Sequence, residues 1–73
     1  MKVKVCDFRN VNSSYWVDGI STFYNNGKYE NKIVTIRVAK ELFEKSIKLP
    51  IKFPLVLDVK FKKGVGINEL KAL

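Results

Sequence analysis

The chain has no histidine and a single cysteine, Cys6. Without histidine, neither a Cys–His nucleophilic pair nor a His-ligated metal can be assembled. One cysteine forms no internal disulfide, which fits a reducing cytoplasm. Set in an apolar first strand, Cys6 reads as a small hydrophobe. No apolar run approaches the ~18 residues a membrane helix needs, and lysines interrupt Met1-Lys-Val-Lys-Val-Cys-Asp where a signal peptide would be apolar. A cytoplasmic protein with no membrane partner is expected. The acids Asp7, Asp18, Glu30, Asp58 and Glu69 are scattered, with no spacing that suggests a catalytic pair or a metal cluster. Gly64-Val-Gly66 lacks the pattern of a phosphate loop. These absences argue against an enzyme and against a bound cofactor.

What the chain does have is positive charge. Its 73 residues, read as one domain spanning 1–73, carry 14 Lys and Arg against 7 Asp and Glu, a formal net charge of +7 and a pI near 9.7. Such an excess favours a polyanionic partner. A lysine-rich composition that only keeps the protein soluble competes with that reading.

Period-two alternation dominates the chain. Met1, Val3 and Val5 fall on one side of a first strand and Lys2, Lys4 and Cys6 on the other, as in a half-buried strand. Asp7 and Phe8 break the pattern, so a bulge or strand end is expected there. Arg9 to Ser14 reads as a polar loop. A second strand runs from Tyr15 to about Tyr24, with Gly19 marking a bulge or sharp coil. Asn25-Asn26-Gly27 predicts a tight hairpin turn, because Asn-Gly favours positive φ. The return strand, Lys32 to Val38, sets Val34, Ile36 and Val38 against Ile33, Thr35 and Arg37.

The period then changes. Ala39, Leu42, Phe43 and Ile47 form one helical stripe, opposite Lys40, Glu41, Glu44 and Lys45. The helix must stop before Leu49-Pro50. After Pro54, Leu55, Leu57, Val59 and Phe61 alternate with Val56, Asp58, Lys60 and Lys62, so Phe43 and Phe61 are expected in the core. The segment from Val65 to Leu73 fits a last strand or a helical turn.

The hairpin combines Trp16, Tyr24 and Tyr29 with Lys28, Lys32 and Arg37. Aromatic rings among cations suit single-stranded nucleic acid, since bases stack on the rings and cations follow the phosphates. Arg37 stands out, because a guanidinium both pairs with phosphate and stacks on a base. Lys60 and Lys62 extend the basic set, and these cations are expected on the faces opposite the core. Lys2 and Lys4 would lengthen it.

Strand, long bent strand, strand, helix, strand, short strand is also the element order of a five-stranded OB barrel. In that order, in the Asn26-Gly27 hairpin, the Gly19 break and the basic-aromatic mix, the chain resembles the small single-stranded DNA-binding OB-fold proteins of phages and mobile elements. The resemblance implies a mostly β fold with one short helix, an OB-like barrel, and binding across strands two and three. It implies single-stranded DNA or RNA as ligand, DNA favoured, with little sequence preference. An accessory role in replication or recombination, beside a protein of that machinery, and a homodimer that builds a continuous groove follow from it. Two rivals use the same residues. One is an α+β meander of three or four strands packed on the helix. The other is a basic protein–protein adaptor or inhibitor encoded by a phage or mobile element. Apart from both stands a structural accessory subunit whose exposed strand edge augments another sheet through an apolar, not basic, face.

Overall fold

In the computed structural model, which describes all 73 residues, the alternating segments become five strands and the 3.6-period segment one helix. They are β1 (Lys2–Val11), β2 (Ser14–Asn25), β3 (Lys28–Ala39), α1 (Lys40–Ser46), β4 (Val56–Lys62) and β5 (Gly66–Ala72). All strand pairs are antiparallel, and the sheet order is β3-β2-β1-β4-β5. The sheet is not closed, because β3 and β5 remain as its two edges. The expected barrel is therefore seen only as one five-stranded sheet with a short helix. A meander of three or four strands is not what forms either, since β1 pairs with both β2 and β4.

Local chemistry explains the turns. Asn26 and Gly27 both take positive φ, 52° and 78°, between the paired residues Asn25 and Lys28. This two-residue geometry matches the twist of the strands it joins. The first loop is shorter than its composition suggests. Arg9, Asn10 and Val11 stay in β1, and the chain reverses only at Asn12-Ser13, with Asn12 at φ 57°.

Gly19 has a different role from the one its position suggests. β2 runs through it without a bulge, and the irregularity lies opposite, in β1 between Val5 and Asp7, where Cys6 is the extra residue. A Cβ on Gly19 would come within 2.4 Å of Val3 Cγ1 and 2.6 Å of the Lys4 carbonyl oxygen. Glycine is needed because β1 passes too close for any side chain.

The core gathers Val3, Val5, Tyr15, Val17, Ile36, Val38, Phe43, Ile47, Leu55, Leu57, Val59 and Leu70. Phe43 projects from the helix and stacks on Tyr15, ring centroids 4.1 Å apart and 14° from parallel, with Phe8 at 6.1 Å from Phe43. Burying one such ring contributes about 1.5–3 kcal/mol. The Tyr15 hydroxyl donates a long hydrogen bond of 3.5 Å to Glu44 Oε2. Burial, with the Glu44 carboxylate beside it, pushes the Tyr15 phenol above its ordinary pKa. The buried Ser21 hydroxyl donates to the Lys2 carbonyl at 2.7 Å, so this interior polar group is satisfied.

Two expectations are corrected. The helix begins at Lys40 and ends at Ser46, because Ala39 closes β3 and Ile47 is already extended. Phe61 is 57% exposed, although it shares the alternation of the buried Leu57 and Val59. Beyond Lys60 the register slips and the sheet's inner side opens, so nothing covers the ring. The C-terminal segment is a strand from Gly66 to Ala72, paired with β4 from Leu57–Ala72 to Lys62–Gly66, and Val65 belongs to the turn before it. No helix is long and apolar enough to cross a membrane.

Candidate nucleic-acid interface

The residues that alternate away from the core form the outer side of the sheet. Directly paired residues share a side, so the register lays them out in rows. Arg9, Trp16 and Arg37 form one row, drawn from β1, β2 and β3. Neither arginine is in an ion pair, since the three ion pairs present involve other residues. The next row holds Asp7, Asp18 and Thr35, where the Thr35 hydroxyl donates to Asp18 Oδ1 at 2.6 Å. Lys4, Ile20 and Ile33 follow, with Val56 completing the row on β4. Lys2, Lys4, Ile20, Thr22 and Val56 line a shallow hollow of about 350 Å³.

Beyond this hollow the β2–β3 hairpin projects as a free arm. β1 pairs with β2 only from Ser14 to Ile20, so Ser21–Asn25 and Lys28–Lys32 pair with each other alone. On the arm's outer side the Thr22 hydroxyl donates to Asn31 Oδ1 at 2.7 Å. Next to them Tyr24 and Tyr29 face each other edge to face, centroids 5.1 Å apart. Their exposures are 68% and 77%. Each ring keeps most of its surface open for a flat partner.

The expected residues do not form one patch. Trp16 and Tyr24 are eight positions apart on β2, about 26 Å at the usual rise of ~3.3 Å per residue. Trp16, Arg37, Tyr24 and Tyr29 share the outer side but occupy its two ends. Lys28 and Lys32 are corrected outright: they lie on the ribbon side of Ile36 and Val38, because each is an even number of positions from Ile36 along the strand. There Lys32 pairs with Glu30 at 3.9 Å and sits 5.8 Å from the Phe23 ring centroid. Lys60 pairs with Glu69 at 3.8 Å, in the row beyond Asp58–Lys2. Lys62 is exposed opposite Gly66 at the end of the β4–β5 ladder. Neither is in the Arg9–Trp16–Arg37 row, although Gly66, opposite Lys62, lines the same cleft as Arg37. Exposed pairs of this kind contribute about 0–1 kcal/mol and leave the lysines easily diverted.

Arg9 is the functional candidate that the sequence pattern concealed. Its polar, turn-rich surroundings from Arg9 to Ser14 read as a loop, and the bulge at Cys6 inserts one position and shifts the alternation that follows. Allowing for that extra residue returns Phe8 to the inner side and Arg9 to the outer. Ile33, at 85% exposure on the outer side, was also unassigned. No cluster of His, Cys, Asp or Glu has metal-binding geometry.

No family model, curated protein or solved structure matches this chain.

Proposed function

We propose that the protein binds single-stranded nucleic acid, DNA in preference to RNA, along the outer side of the β1–β2–β3 sheet. The observation that carries this reading is the Arg9–Trp16–Arg37 row: an indole held in register between two guanidinium groups that have no carboxylate partner. A base stacks on the indole while the arginines take the flanking phosphates. Lys2 and Lys4 in the hollow continue the phosphate path, and Tyr24 and Tyr29 offer a second stacking position at the arm. Asp18 accepts hydrogen bonds from exocyclic amino groups at bases that lie between.

The strand order supports an OB-like fold, opened between β3 and β5, with the helix between β3 and β4. On that fold the β2–β3 face is where oligonucleotides bind.

Titration of Trp16 emission with poly(dT), poly(U) and duplex DNA at two salt concentrations tests the proposal. Quenching is expected with poly(dT), with a log–log salt slope of roughly −3 to −4 for four to six phosphate contacts. Arg37→Ala should weaken binding, and Tyr29→Ala should cost about 1–3 kcal/mol if a base stacks there. No binding at low salt, or binding indifferent to salt, sinks the reading.

A further inference from the structure

The two edges of the sheet lie on either side of one cleft, and neither edge is paired. β3 bonds only to β2 and β5 only to β4, and no backbone hydrogen bond joins β3 to β5. The sheet nevertheless coils far enough that Val34, Thr35, Ile36 and Arg37 of β3 line the same cleft, about 520 Å³, as Phe61, Val65 and Ile67. An unpaired edge presents alternating N–H and C=O groups, a template that another polypeptide strand matches.

The side chains around it suit such a strand. Phe61 and Val65, 57% and 67% exposed, have apolar surface that nothing in this chain covers, and Val34 and Ile67 are only half-buried. Arg37 is the one ionisable side chain in the lining. Lys62 and Lys63, exposed and free of ion pairs, follow Phe61 directly. No carboxylate answers these cations in the cleft.

We propose that the β3–β5 seam receives an extended acidic segment of a partner protein. The segment adds as a strand along Val34–Arg37, with alternate apolar side chains against Phe61, Val65 and Ile67 and its carboxylates toward Arg37, Lys62 and Lys63. A second copy of this chain is the poorer occupant, because each copy has a net charge of +7 and would set cation against cation. Neither Trp16 nor Tyr29 lines the cleft, but Arg37 does, so a bound peptide and the nucleic acid compete for that guanidinium.

The probe is a fluorescent octapeptide of alternating glutamate and valine, beside the same peptide N-methylated at every second residue. Anisotropy should rise with the first. The second should bind at least about tenfold more weakly, having lost strand-pairing donors. Phe61→Ser and Val65→Ser change exposed residues, so both should fold, and each should weaken the peptide by about fivefold or more. The Trp16→Ala, Tyr29→Ala double variant should leave peptide affinity unchanged whether or not it alters oligonucleotide binding. Equal affinity for the two peptides, or no binding at low salt, overturns the proposal. So does a dimer in sedimentation that excludes the peptide and is lost in Phe61→Ser, since the seam would then belong to a second copy.

Discussion

From Tyr15 to Ser21 the inner side of β2 is buried, whereas Phe23, the next residue on that side of the same ladder, is exposed. Alternation, pairing partner and hydrogen-bonded register are continuous across this change. What differs is the third strand. β1 begins at Lys2, and the buried Ser21 hydroxyl on the Lys2 carbonyl marks the level at which it ends. Period two states which side a residue takes; neighbouring strands decide whether that side is interior. The base of the ribbon is thus part of the core, and the arm is a two-stranded extension held by its turn and cross-strand pairs.

The sharpest way to break the base is at Gly19. An alanine there would drive its Cβ against the Lys4 carbonyl, a backbone atom that cannot swing aside, as well as against Val3. Overpacking of this kind costs about 1–3 kcal/mol, more where backbone must move. Gly19→Ala is expected at the upper end, about 3 kcal/mol, measured as a lower urea midpoint with unchanged slope. A loss below about 0.5 kcal/mol would mean that β1 and β2 separate easily at this crossing, and the contrast with the arm would collapse.

Local features of this fold could be read from the chain, and features that depend on distant neighbours could not. The Asn26-Gly27 turn was legible because positive φ is a property of those two residues. The return strand was legible from its repeated alternation, and the helix from the stripe of Ala39, Leu42, Phe43 and Ile47, of which Phe43 and Ile47 are buried. Arg9 was not, because Arg9 to Ser14 has the composition of a polar loop, and one unpaired residue at Cys6 shifts the side on which every later β1 residue falls. The placement of Lys28 and Lys32 could have been read from their even spacing to Ile36, yet their charge suggested the solvent side. Phe61 and the unclosed seam lay beyond any local pattern. They depend on how far the sheet coils and on where β4 slips register against β5, which no window of alternation contains.

A smaller effect separates base from arm through pH. Folding raises the Tyr15 phenol's pKa, chiefly by burial and then by the neighbouring Glu44 carboxylate, so the folded state favours the protonated ring. Its contribution to stability is complete below the unfolded value of about 10 and is lost as pH rises through the folded one. Wild type should therefore lose more stability between neutral pH and pH of about 11 than Tyr15→Phe does. Equal losses would show that Tyr15 ionises without disturbing the core.

The smallest change is expected at the arm itself. Tyr24→Ala removes an edge-to-face pair between two exposed rings, a cross-strand interaction worth about 0.2–1 kcal/mol. Because Ser21–Asn25 and Lys28–Lys32 have no third strand, that loss should stay local. Amide exchange should quicken from Thr22 to Asn31, while Tyr15 to Gly19 keep their protection and the global urea midpoint barely moves. If Tyr24→Ala instead lowered the midpoint as far as Gly19→Ala, arm and base would unfold as one unit. The exposed tyrosines would then be a structural clasp, and the case for Tyr24 and Tyr29 as a stacking position would lose its main support, since rings that hold the sheet together are not free to open for a base.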